Sequence, residues 1–307
     1  MGKYVVRRLL MMIPTFLGAT FLLFTMAFAM PGDPTAGRCG ERPCSAAYVA
    51  WFRAHYGLDK PFIEQYGIYL GRLFTGDLGT NFYGNTVVHE LAIRYPTTLK
   101  LAVIAVICEV IIGVSAGVVA GIRRGRFIDS LVTVATLVVI AVPVFVLGSL
   151  AQMVFGLKLK WFPVTAGAGT WGQLIMPGVV LGSLYIAYVA RLTRTNLVEN
   201  LRADYVRTAY AKGMMPRRAI GLHAMRNSLI PSITYIGASF GGLMGGAIIT
   251  ERIFNINGVG SLIWRSINQK DGTTLVGAIL VIVVIYMVMT LLVDVLYGYL
   301  DPRIGHE

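Results

Sequence analysis

Charged residues are scarce in this sequence, and acidic residues are scarcer than basic ones. Only 14% of the 307 residues are charged, whereas 56% are hydrophobic. A soluble globular domain carries more charge than this, so the composition indicates a polytopic membrane protein. The 27 Lys and Arg against 15 Asp and Glu give a formal net charge of +12. Because no basic-aromatic module accompanies that charge, we predict contacts with anionic membrane lipid and no nucleic-acid partner.

Motifs that supply enzymatic chemistry are missing as well. No GxxxxGK[ST] phosphate loop occurs, so we expect this chain to bind no ATP and to need no cofactor of its own. Neither HExxH nor GxSxG occurs, nor a paired-cysteine metal motif. The four histidines are scattered in loops and at the tail, which predicts no metal site: His55, His89, His223 and His306. We therefore predict that the chain is not an enzyme.

The sequence has only three cysteines. Cys108 lies in an apolar run, where a thiol usually serves packing. Cys39 and Cys44 flank the tetrapeptide GERP in the loop after the first apolar stretch. If that loop faces an oxidising exterior, we expect a Cys39–Cys44 disulfide; two free thiols or a chance metal site are the alternatives.

Apolar stretches long enough to cross a bilayer are what the chain has in abundance. Six of them predict an all-α membrane protein, and an even number puts both termini on one side of the membrane. The first is too long for a signal peptide and is read as a membrane helix. The six predicted spans are residues 9–30, 99–121, 131–155, 174–190, 232–250 and 275–297.

Basic residues in the short loops fix the orientation. Lys3, Arg7 and Arg8 precede the first span, and residues 191–231 carry eight Lys and Arg. Residues 31–98 instead balance six bases with six acids. By the positive-inside rule, both termini and residues 191–231 are cytoplasmic, and residues 31–98 form a long external loop. Its helical pattern, broken at GLDKP, predicts an ordered cap that meets a partner or covers an outer mouth; an inert surface loop is the alternative.

Glycines recur every four residues in two spans, which lets helix backbones approach closely in a membrane. The pattern fits packing inside one subunit, a subunit interface or a moving pore wall, and does not separate these readings. The glycines are Gly113, Gly117 and Gly121 in the second span and Gly237, Gly241 and Gly245 in the fifth.

Glu109 is the only acid near the middle of a predicted span. A carboxylate there is costly and is often paired or functional. Three roles are open: a structural hydrogen bond, a place on a substrate path, or a proton relay. The lack of a second carboxylate at this depth counts against the relay.

The basic segment, residues 191–231, has the pattern of two short helices separated by a turn. Asp204 is a candidate N-cap, Gly213 supplies a left-handed turn position, and Pro216 suits the first turn of a second helix. Ala209 and Ala211 keep one face small enough to enter a cleft on a partner. The alternative is an amphipathic hairpin lying on anionic lipid.

This segment also resembles the coupling loop of ABC importer permease subunits. RTAYAKG at 207–213 and HAMRNSLIP at 223–231 carry the resemblance, although the general family motif places Glu-Ala-Ala where Arg207, Thr208 and Ala209 stand. Matching segments run in order along nearly the whole chain: PGDP at 31–34, YGLDKP at 56–61, GDLG at 76–79, ERIFNINGVG at 251–260 and VDVLYGYLDPR at 293–303. The chain is most similar to the first of two paired permeases in the dipeptide, oligopeptide and nickel branch.

The resemblance implies one transmembrane permease domain over residues 1–307 with the six-helix type I importer fold, in the bacterial plasma membrane. Its implied partners are a second homologous permease, two ATPase domains (separate or fused) that hold ATP and magnesium, and an extracytoplasmic binding protein. The implied cargo is short peptides, with nickel chelates or haem as alternatives. An ion- or proton-coupled carrier that uses Glu109 is the alternative of another class.

Glu109, Gly241 and Gly245 are candidates for the translocation path or a helix interface. The residues expected to couple to the ATPase are Arg207, Ala209, Ala211, Lys212, Gly213, Arg217, His223 and Arg226.

Overall fold

A computed structural model describes residues 2–26, 44–57, 59–81 and 83–300. Within these ranges the chain is helical, apart from turns and one isolated bridge between Thr80 and Thr86. The all-α prediction is therefore confirmed. The α-helices are α1 Gly2–Phe24, α2 Ala46–Tyr56, α3 Phe62–Phe74, α4 Val87–Cys108, α5 Ser115–Ile122, α6 Phe127–Ala141, α7 Val144–Ala151, α8 Trp171–Asn200, α9 Asp204–Ala211, α10 Pro216–Arg218, α11 Met225–Ile253, α12 Val259–Gln269 and α13 Gly272–Leu300. The π-helices are π1 Glu109–Val114, π2 Gln152–Lys158 and π3 Ala219–Ala224.

Four of the described helices are long and apolar enough to cross a membrane, and up to six spans result if two bent helix pairs each count as one. The predicted second, fourth and sixth spans lie inside continuous helices that are longer than predicted. The predicted first span overlaps α1, but residues 27–30 at its end lie outside the described residues. The four helical spans are Val5–Phe24, Val87–Ile122, Trp171–Asn200 and Gly272–Val295.

The third predicted span, residues 131–155, is not one straight helix. It comprises α6 followed by α7 and π2, which are bent by 106°. Pro143 stands at the bend, where it lacks the backbone N–H and its ring obstructs a continuing helix. Pro177 has no such effect, because it lies inside the uninterrupted α8. The fifth predicted span falls within a second bent pair, Pro216–Gly245 and Ala247–Ile253.

The chain divides into two compact units, one formed by Gly2–Thr98 with Asn257–Val288 and the other by Leu99–Ile256 with the chain from Met289. We call the first the N-terminal unit and the second the central unit. The N-terminal unit is tied together by aromatic side chains of α1 and α3. The Tyr66 hydroxyl donates to the Leu17 carbonyl at 3.0 Å, and Phe24 lies with its ring centroid 5.4 Å from that of Phe62. As GLDKP predicted, α2 ends at Gly57 with φ 65° and α3 begins after Pro61.

The three glycines of the second predicted span all pack against other residues of this chain, which favours packing inside one subunit among the readings left open. A Cβ on Gly113 would lie 3.1 Å from the Ile186 carbonyl oxygen, and one on Gly121 would lie 3.0 Å from Leu197 Cδ2. At Gly117 it would lie only 2.5 Å from the Ala190 carbonyl oxygen. These contacts advance together along both helices, so π1 and α5 run parallel to α8 at near-backbone distance.

Buried hydroxyls reinforce the central unit where α8 meets α11. The hydroxyls of Thr193 and Ser232 lie 2.8 Å apart, and both residues are fully buried. The Ser228 hydroxyl of α11 lies 3.3 Å from the Asn196 carbonyl oxygen of α8. Membrane helices lack a hydrophobic driving force for association, so close packing and short polar contacts of this kind hold them together.

We predict that Gly117→Ala destabilises the central unit by about 1–3 kcal/mol, because the added methyl overlaps backbone that cannot move aside. The measurement is the apparent melting temperature of the detergent-solubilised chain. Gly172→Ala is the matched control in α8, because a Cβ there meets nothing within 4 Å. Equal melting temperatures for the two variants would contradict the packing argument.

Candidate functional site

The basic segment is a continuation of α8 folded back on the central unit. α8 extends ten residues beyond its predicted end at residue 190, to Asn200. A short turn then leads into α9, and α10 and π3 lead back to α11. The two-helix pattern predicted for the segment is therefore present, with a π-helix in its second half.

A buried cluster anchors this segment. Leu197 of α8, Val206 of α9 and Ala224 of π3 are all fully buried against one another. Val118 of α5 packs against the same cluster. Val206 of α9 is therefore packed directly against Leu197 near the end of α8.

The turn after α9 is built as predicted at Gly213. Its φ is +80°, its N–H donates to the Tyr210 carbonyl at 2.9 Å, and the Met214 N–H donates to the Ala209 carbonyl at 3.1 Å. Pro216 is at the first position of α10, also as predicted. Asp204 is not the N-cap: it is the first residue of α9, and the cap position is Ala203, which makes no side-chain hydrogen bond.

The two alanines assigned to one small face lie in different environments. Ala209 is only 6% exposed and packs into the chain itself, whereas Ala211 is exposed. Ala209 therefore packs within this chain, where its small side chain lets α9 lie close to its neighbours. The other predicted coupling residues are all exposed: Arg207, Lys212, Gly213, Arg217, His223 and Arg226.

Sequence reasoning missed the exposed apolar residues of the segment. Met215, next to the Gly213 turn, is 76% exposed, and Tyr205 and Tyr210 of α9 are exposed as well. Large exposed side chains surrounded by cations form the kind of surface that a partner protein buries. Their signal in the sequence was an aromatic residue at each end of the exposed side of α9, spaced five apart.

An ion pair next to the segment was also missed. Asp129 of α6 is buried and accepts hydrogen bonds from Arg194 of α8, through Nε and, at 2.8 Å, through Nη2. It also accepts the Gly125 N–H at 2.8 Å. The ion pair therefore joins α8 to the loop that precedes α6. Arg194 lies three residues, about one helical turn, before Leu197 of the buried cluster.

Glu109 is fully buried at the start of π1. Its Oε2 lies 2.8 Å from the Ser239 hydroxyl of α11, which favours the structural hydrogen bond among the three roles considered. Of the glycines in the fifth predicted span, Gly237 faces Val293, Gly241 is buried, and a Cβ on Gly245 would meet nothing within 4 Å. The translocation-path or helix-interface role of Glu109, Gly241 and Gly245 stays a prediction.

The predicted disulfide is not tested, because Cys39 lies outside the described residues. Cys108 is a free, half-buried thiol, in agreement with a packing role.

Two family models match the chain. Residues 113–306 match the inner membrane component of binding-protein-dependent transport systems, and residues 1–102 match the N-terminal part of the same membrane component. The chain belongs to this family of transport permeases. It is 37% identical to the dipeptide transport system permease protein DppB of Alkalihalophilus pseudofirmus, 35% to the di/tripeptide transport system permease protein DppB of Pseudomonas aeruginosa and 36% to the glutathione transport system permease protein GsiC of Pectobacterium atrosepticum, each match covering 100% of both chains.

Membership places the chain among the multi-pass permease subunits of ABC transporters in the bacterial inner membrane. A permease of this kind is not an enzyme: ATP is hydrolysed by partner subunits, and a substrate-binding protein and a second permease complete the system. The basic segment is the part of the permease that resembles the family's coupling loop.

We predict that Asp129 and Arg194 are energetically coupled by about 1–3 kcal/mol, a range lowered because the Arg194 side chain is 30% exposed. A double-mutant cycle of Asp129→Ala and Arg194→Ala, followed by apparent melting temperature, measures the coupling. Arg191→Ala is the control on the same helix, because Arg191 is exposed. Strictly additive effects of the two alanine substitutions would contradict a stabilising pair.

Proposed function

We propose that this chain is the first permease subunit of an ATP-driven importer of short peptides, and that α9 with the Gly213 turn couples it to an ATPase subunit. The observation that carries the proposal is the continuous path from an exposed basic surface to the membrane helices. α9 is locked to the end of α8 by Val206 and Leu197, and α8 packs against α5 at backbone distance through Gly117.

The proposed arrangement has six spans with cytoplasmic termini, residues 31–98 outside and the basic segment inside. With this topology the second and fourth spans both run from outside to inside, so they must be parallel. The parallel packing of π1 and α5 on α8 agrees with that requirement. The two bent helix pairs, counted as one span each, give the number six.

Peptide cargo is proposed from the relatives, whose names specify dipeptides, di- and tripeptides and glutathione. Glutathione is itself a short peptide, so the three names share one chemical class. A nickel chelate or haem is the alternative cargo within the same architecture. The proposed partners are a second homologous permease, two ATPase domains and an extracytoplasmic binding protein that delivers the peptide.

Coupling in this proposal is a two-state change biased by ATP. Closure of the ATPase domains displaces α9, and the Leu197–Val206–Ala224 cluster passes that displacement to α8 and α11. The exposed cations Arg207, Lys212 and Arg217 would meet acidic groups on the ATPase, and Met215 and Tyr210 would be buried between them. Electrostatic steering of this kind is weakened by salt.

We predict that Gly213→Pro abolishes uptake while the permease pair still assembles. Proline cannot adopt a φ of +80° and removes the N–H that donates to Tyr210, so the turn cannot form. Gly213→Ala should reduce uptake only partly, because an alanine at this φ costs about 1–2 kcal/mol. The measurement is accumulation of a labelled dipeptide in cells that lack other peptide importers, with ATPase activity and subunit composition of the purified assembly.

Gly221→Ala is the matched control, because Gly221 is exposed in the same segment and a Cβ there meets nothing within 4 Å. Full uptake by Gly213→Pro would overturn the coupling role. Normal coupling with no dipeptide uptake, but with uptake of nickel or haem, would overturn the cargo and leave the coupling role intact.

A further inference from the structure

Ser239 lies within hydrogen-bond distance of two acceptor oxygens but has only one hydroxyl proton. Ser239 Oγ lies 2.8 Å from Glu109 Oε2, and it also lies 2.8 Å from the Ile236 carbonyl oxygen. Both distances are those of good O–H···O hydrogen bonds. A serine hydroxyl has one proton, however, and a backbone carbonyl has none. One of the two contacts therefore needs a proton from elsewhere.

The geometry allows two assignments. If Ser239 donates to Glu109, the carboxylate is ionised and the contact with Ile236 is a bare approach of two oxygens. If Ser239 donates to Ile236, as serines in helices commonly do, the proton between Oγ and Oε2 must belong to Glu109. Only the second assignment gives each short contact its own proton.

Burial favours the second assignment as well. Glu109 is fully buried, and its other oxygen, Oε1, has no hydrogen-bond partner among the described residues. An ionised carboxylate would thus place its charge in an apolar interior with one donor, whereas the neutral acid leaves only a carbonyl oxygen unpaired.

The surrounding helices offer phenols to this site but no compensating charge. Tyr235, one turn before Ser239 on α11, lies within electrostatic range of Glu109. Tyr185 and Tyr188 of α8 lie beside Tyr235, with ring centroids 6.5 Å and 6.2 Å away. No described cation contributes to the electrostatic environment of Glu109.

We propose that Glu109 is a neutral carboxylic acid that donates its proton to Ser239 and thereby holds π1 against α11. It is a positioning residue and neither binds a cation nor relays a proton. The bond sits at the point where α4 changes to the wider π1, so it fixes the helix register at that change.

Infrared difference spectroscopy of the purified protein, wild type minus Glu109→Gln, tests the protonation state directly. We expect the difference to contain the C=O stretching band of one protonated carboxyl at about pH 6, where an unperturbed glutamate is ionised. Carboxylate bands in its place at that pH would overturn the proposal. Wild type minus Glu90→Gln is the matched control, since the ion pair of Glu90 with Arg94 predicts carboxylate bands.

Substitutions supply a second readout that a mere space-filling role would not give. Glutamine keeps a neutral N–H donor toward Ser239, so the uptake rate of Glu109→Gln should stay within about threefold of wild type and its apparent melting temperature should be close to that of wild type. Glu109→Leu cannot donate a hydrogen bond, so both its uptake rate and its apparent melting temperature should fall. If the Glu109→Gln protein does not accumulate, the difference spectrum of wild type minus Ser239→Ala is measured in its place. Removal of the Ser239 acceptor should shift the C=O band of the Glu109 acid to higher frequency. An unshifted band in Ser239→Ala would overturn the assignment of the hydrogen bond.

Discussion

The central unit depends on the close approach of two parallel helices, α8 and the continuous helix formed by α4, π1 and α5. Lipid is as apolar as leucine, so these helices gain little from hiding side chains and must associate through backbone proximity. Glycines on both helices make this possible, because a Cβ added at any of them would press against the facing helix. They are Gly113 and Gly117 on one helix and Gly178 and Gly182 on the other. Because helices this close leave no room for sliding side chains between them, we expect them to move together as one body.

The close packing of these helices also determines how the basic segment is attached to the membrane helices. A surface helix joined by flexible linkers would absorb a push from a partner in the linkers. α9 instead shares a buried cluster with α8, and the Asp129–Arg194 pair fixes the neighbouring turn to the same helix. Ala209 and Lys212, although close in sequence, have opposite environments. In the proposed coupling role, the buried side of α9 would transmit a displacement and the exposed side would contact the partner.

The sequence predicted those features that depend on neighbouring residues. Apolar length located the membrane helices, GLDKP located the break between α2 and α3, and Gly213 with Pro216 located the turn after α9. It failed where distant residues decide. Ser239 is 130 positions from Glu109, and Arg194 is 65 from Asp129, so neither pairing has a local signal. The π-helices were also missed, because one extra residue in a turn leaves the apolar pattern almost unchanged. Pro143 and Pro177 show the same limit, since only one of these two prolines breaks its helix.

The surroundings of Glu109 bear on how transport is energised. An ion-driven carrier takes up its energy within the membrane, at groups that exchange a proton or cation with water during the cycle. Glu109 is enclosed and bonded to one hydroxyl, which are the properties of a fixed structural contact. Several exposed cations of this unit lie instead around α9 and the Gly213 turn: Arg207, Lys212, Arg217 and Arg218. In the proposed mechanism, energy enters from a partner at the exposed surface of α9 and not through Glu109, which agrees with membership in a family whose ATP hydrolysis takes place in partner subunits.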